Sequence, residues 1–113
     1  DKLSSELHEI NVRAGEEADI NLDYKYNDPN DPNMFYYRSD HYNFAKNNIP
    51  IIFFFNGVHE DYHQEGDEVS KITFPMLAKR AQLVFLTAWE VANRDKRVVV
   101  DKKNDFPERN RDK

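Results

Sequence analysis

Apolar residues recur along this chain with changing period, and the changes divide it into elements. Leu3, Leu7, Ile10 and Ala14 keep helical spacing, which predicts an amphipathic helix over 3–18 with Ser4 or Ser5 as N-cap. His8 lies beside that stripe and reads as a surface or boundary side chain. Ile20, Leu22, Tyr24 and Tyr26 alternate with Asn21, Asp23 and Lys25, a strand pattern. Residues 27–33 then repeat Asp-Pro-Asn twice, which predicts a loop, because proline and Asx side chains favour turns. A short helix is expected over 39–46, with Ser39 or Asp40 at its start, Phe44 and Ala45 inward, and Asn47-Asn48 ending it.

Residues 49–55, Ile-Pro-Ile-Ile-Phe-Phe-Phe, are apolar on both faces, as in a central strand covered by helices; Asn56-Gly57 breaks the run. The strongest helical signal spans 74–93. Thr73 is placed to cap it and Pro75 fits its first turn. Leu77, Ala81, Val84, Ala88 and Val91 hold the period, Phe85 and Trp89 widen the stripe, and the helix is expected to pack on a sheet with Trp89 in the core. Residues 98–100 suggest a short extended segment, and 101–113 a polar tail after a body of residues 1–100. The predicted class is α/β: a few strands packed by an N-terminal helix and a long C-terminal helix.

Composition narrows the function. The chain has 113 residues, enough for one domain with a modest core. An aromatic share of 13% argues against disorder. The net charge of -5 offers no overall basic excess for nucleic acid. That charge is uneven, because residues 94–113 carry eight Lys/Arg against five Asp/Glu, which reads as a solvated basic end. The absence of cysteine removes disulfides, thiol catalysis and cysteine metal sites. No apolar run approaches the ~20 residues of a membrane span, and no signal peptide is visible. The chain begins at Asp1 without an initiating Met, which fits a processed or excised product.

The candidate chemistry concentrates in residues 36–72, which hold His41, His59 and His63 among acids and aromatics. His59, Asp61 and His63 sit at alternate positions and would share one side of an extended segment, and both residue types bind zinc. A small metal-binding module is therefore one reading. Asp40 and His41 also read as a helix cap and its hydrogen-bonding neighbour. No Gly-x-Ser-x-Gly and no glycine-rich phosphate loop occurs.

Arg38-Ser39-Asp40-His41, Phe44, Ile49-Pro50, the phenylalanine run, Gly57, Tyr62-His63 and Asp67 together resemble the C-terminal part of peptidase family M28, zinc aminopeptidases with a pair of metal ions. The resemblance covers residues 3–100. It implies a partial three-layer α/β/α fold and hydrolysis of N-terminal peptide bonds, in a periplasmic or extracellular protein acting on peptides. It implies that His63 is a zinc ligand, that Tyr62 stabilises the oxyanion, and that Arg38 lies near substrate. Asp67 would orient His63 or its loop, and Asp40 would be structural. His59 and Asp61 become loop residues under this reading. Gln64, Glu65 and Glu68 depart from the Thr-Pro and Thr that many members carry there. The family's His-x-Asp segment, its Glu-Glu pair and its bridging Asp do not occur. The isolated chain is therefore expected to bind no zinc tightly and to be inactive. A non-catalytic fragment that dimerises through an unpaired sheet edge is the alternative.

Overall fold

A computed structural model describes residues 2–105. The expected polar tail lies outside the described residues from 106 onward. Among the described residues three α-helices form: α1, Ser5–Glu17; α2, His41–Ala45; and α3, Phe74–Asn93. Short 3₁₀ turns occupy Lys25–Asn27, Phe35–Tyr37 and Val69–Lys71. No strand occurs among the described residues, and this overturns the α/β expectation, its three-layer version included. Residues 20–24 and 49–58 run without regular structure. The reason is that a helix satisfies its backbone from within, whereas a strand needs a partner on at least one edge. The apolar run is accordingly not enclosed on both faces: Ile49 and Phe54 are exposed, while Ile51, Ile52, Phe53 and Phe55 are half-buried.

The chain divides into two compact units, the first comprising residues 2–9, 23–53 and 96–105 and the second residues 10–22 and 54–95. In the first, Leu3, Tyr36, Tyr37 and Ala45 form the core, with Tyr42 and Ile51 packed against it. Ser4 caps α1 as expected: its hydroxyl accepts the Leu7 N–H at 3.1 Å. The same helix start holds residues 99–102. Asp101 accepts the Ser5 N–H at 2.8 Å, Glu6 accepts the Val99 N–H, and the Leu3 carbonyl accepts the N–H groups of Asp101 and Lys102. Each Asp-Pro-Asn triplet closes an Asx turn, Asn30 N–H on Asp28 and Asn33 N–H on Asp31.

The stop after α2 is also as read. Asn48 takes a left-handed φ of 60°, Ile49 N–H reaches Phe44 O and Asn48 N–H reaches Ala45 O, which is a Schellman motif. Ala45 is fully buried, but Phe44 is 54% exposed, against the expectation that both face inward. Asp40 makes no side-chain cap. His41 instead bonds through Nε2 to the Tyr36 carbonyl at 2.7 Å and stacks on Phe53 at 4.2 Å.

In the second unit the later turns of α1 meet α3. Ala14, Ala18 and Leu83 are buried together, flanked by Ile20, Leu22 and Leu86. Gly15 lets Leu22 fold back over the end of α1, since a Cβ there would lie 2.9 Å from Leu22 Cδ1. Asn11 donates to the Thr87 hydroxyl, which donates to the Leu83 carbonyl. Ion pairs Arg13–Glu90 and Lys79–Asp19 flank the seam. α1 ends in its own Schellman motif: Asp19 has a φ of 54°, Ile20 N–H reaches Gly15 O, and Asp19 N–H reaches Glu16 O.

The face that α3 buries is not the one its sequence suggests. Leu83 and Thr87 are buried, whereas Leu77, Val84, Phe85 and Trp89 are exposed. Trp89, expected in the core, is 59% exposed and stacks on Phe85 at 5.8 Å. The stripe was read as packing on a sheet, and no sheet forms among the described residues to cover it.

Candidate functional site

Residues 59–72 in the second unit fold back on themselves through short-range hydrogen bonds. Tyr62 N–H donates to the His59 carbonyl at 3.0 Å, and Gln64 N–H to the Asp61 carbonyl at 2.9 Å. Asp67 N–H follows onto Gln64, and Lys71 N–H onto Glu68. At the apex His63 takes a left-handed φ of 57°. A non-glycine residue in that region is uncommon, and His is among those that tolerate it best. This conformation leaves the imidazole at the surface, stacked on the Tyr62 ring at 4.1 Å and 15°. His59 meets the same tyrosine edge-on at 6.2 Å.

The side chain that closes the turn is Asp61. Its Oδ2 accepts Lys71 Nζ at 2.9 Å, and its own N–H donates to His59 Nδ1 at 3.2 Å. That second bond requires His59 Nδ1 to be unprotonated. Gly66 passes so close that a Cβ there would stand 2.5 Å from Asp61 Oδ1. The sequence marked Asp61 as a candidate metal ligand or, under the family resemblance, a loop residue, and did not mark Lys71 or Gly66. The one available signal was a glycine in an otherwise charged loop, which often records close backbone approach.

Of the residues read as functional, Tyr62, His63 and Asp67 belong to this unit, and Arg38 and Asp40 to the first. The Asp67 carboxylate takes no hydrogen bond or ion pair among the described residues. Arg38 is exposed and its guanidinium lies over the Phe35 ring at 5.1 Å. Asp40, also exposed, precedes α2.

The described residues gather no group of three His, Asp or Glu side chains able to hold a metal. The alternation of His59, Asp61 and His63 has no extended segment to act through, and Asp61 is committed to Lys71. A complete zinc centre therefore does not fit these residues. His63 has the chemistry of one ligand, an imidazole exposed at the apex of the turn.

These features define a turn that displays a tyrosine and a histidine at its apex. The family model for peptidase family M28 matches residues 4–88, and the chain belongs to that family. No curated protein and no solved structure matches it.

Proposed function

We propose that the chain is the C-terminal portion of a zinc-dependent aminopeptidase and that it has no turnover by itself. Family membership supports peptidase chemistry. The observation that carries the finer reading is the Tyr62–His63 apex, where an accessible imidazole and a phenol are stacked on a turn closed by its own bonds. His63 supplies one zinc ligand, and the Tyr62 hydroxyl donates to the oxyanion that develops at a scissile carbonyl. Arg38 contacts the substrate side. The substrate is a peptide with a free N-terminus, and the setting is periplasmic or extracellular, as cell fractionation would test.

The test has two parts. The isolated chain, supplied with zinc, is expected to release nothing from aminoacyl anilides. In an aminopeptidase carrying this segment, His63→Ala is expected to lower bound zinc. Tyr62→Phe is expected to retain zinc while turnover falls about 10²–10³-fold, the usual cost of one oxyanion donor. Zinc lost with Tyr62→Phe, or kept in full with His63→Ala, sinks the assignment.

A second reading is self-association. The exposure of Leu77, Val84, Phe85 and Trp89 along one helix favours it, since monomers seldom show large contiguous apolar patches.

A further inference from the structure

We infer that Asp61, Lys71 and Gly66 are positioning residues that hold the Tyr62–His63 apex in its displayed conformation. The functional consequence rests on the zinc-aminopeptidase reading; the conformational claim does not.

Three features converge on Asp61. Its carboxylate spans the loop to Lys71 at 2.9 Å and ties the two ends of a ten-residue excursion. Its backbone is engaged at both ends, the N–H on His59 Nδ1 and the carbonyl on Gln64 N–H. Gly66 then packs against Oδ1 with no room for a Cβ. The carboxylate is mostly covered, its side chain 22% exposed against 53% for that of Lys71. Tyr62 and His63 follow directly, and His63 must hold a φ that costs a β-carbon residue energy. Such a conformation persists only where its surroundings over-determine it. Apart from the Tyr62 ring stacked on His63, the surroundings of this apex are the Asp61 contacts, because the apolar residues nearby, Val58 and Val69, are exposed and supply little packing.

The arrangement also explains why the Asp67 carboxylate, although placed next to the turn, is not what orients it: the Asp67 backbone N–H bonds to Gln64, while the cross-loop bond is made by Asp61. The residue that positions the apex therefore precedes Tyr62 rather than following His63.

The experiment is NMR on the isotope-labelled chain with Asp61→Asn, Lys71→Met, Lys71→Arg and Gly66→Ala. Amide exchange at Gln64 and the HN–Hα coupling of His63 are the readouts. Asp61→Asn, Lys71→Met and Gly66→Ala are each expected to speed Gln64 exchange about two- to fivefold, the range an exposed or half-covered ion pair supports. Each is also expected to move the His63 coupling away from its left-handed value. Lys71→Arg is expected to restore both. Amides of α1 and α3 serve as the control and are expected to stay unchanged, which separates a local effect from general unfolding. Unchanged Gln64 and His63 signals in Asp61→Asn overturn the inference, as does an equal loss in Lys71→Arg and Lys71→Met. Zinc content of His63→Ala in an aminopeptidase carrying this segment reads the zinc assignment separately. Zinc kept in full there counts against His63 as a ligand and leaves the positioning result standing.

Discussion

Asp19 and Asn48 end their helices in the same way, with a left-handed residue followed by a 6→1 and a 5→2 hydrogen bond. Asn48 was legible, because Asn after a short helical pattern is a known stop. Asp19 was not, since an acid after Ala18 has no comparable signal. Asp19→Gly removes the steric cost of a Cβ at φ 54° and loses only a solvent-exposed bond to Lys79. It is expected to raise the melting midpoint by roughly a few degrees, an effect on the order of the conformational gain divided by the unfolding entropy. Asp19→Val is expected to lower it, and thermal melts followed by circular dichroism check both.

His41 supplies a pH dependence at the same scale. Burial lowers its pKa from the ordinary value, and this outweighs the bond to the Tyr36 carbonyl, which raises it. A neutral His41 is thus favoured in the folded chain, and the unfolded chain binds the proton more readily. Its share of stability is present above about 6.5, the unfolded value, and is lost as pH falls from there through the folded pKa. Denaturant midpoints measured between pH 7.5 and 5 should fall more in the wild type than in His41→Gln. An equal fall in both would remove His41 as the cause.

Among the elements, α1 was legible almost residue for residue. Leu3, Leu7, Ile10 and Ala14 are all buried, and Ser4 caps. α3 was legible in extent but not in orientation. Its sequence is apolar around most of its circumference, so periodicity alone could not choose between the Leu77–Val84–Trp89 face and the Leu83–Thr87 face. The choice was made by Ala14 and Ala18, small residues of another segment against which Leu83 is buried. Leu83→Ala is therefore expected to cost about 2–4 kcal/mol, the range for a buried leucine in a core that cannot fully collapse. Trp89→Ala is expected to cost under about 1 kcal/mol despite removing a much larger side chain. Urea titrations of the two variants decide it; a larger loss for Trp89→Ala would mean that the wrong face is assigned to the core.

For the whole molecule, the largest difference from the expectation lies in the missing sheet among the described residues. Ile49–Phe55 has every local feature of a strand, but a strand is completed by another segment of chain, and local pattern cannot say whether one is there. The candidate site shows the same limit. Tyr62 and His63 were visible as a motif, whereas the Asp61–Lys71 bond spans ten residues without periodicity. The exposed apolar side chains on α3 and along 49–58 lead to a molecular-scale expectation. Sedimentation should show a weight-average mass that rises with concentration, and Phe85→Ser with Trp89→Ser should abolish the rise. A mass constant over a hundredfold range of concentration would exclude self-association through α3.

Trp89 is the sole tryptophan of the chain, and it lies exposed over Phe85 on the side of α3 away from Leu83 and Thr87. Its indole is thus a built-in optical reporter. Emission from the free chain should be red-shifted, as for a hydrated indole. Anything that covers this part of α3 should move the emission to the blue and shield it from iodide quenching. Engagement of the surface can therefore be followed without attaching a dye.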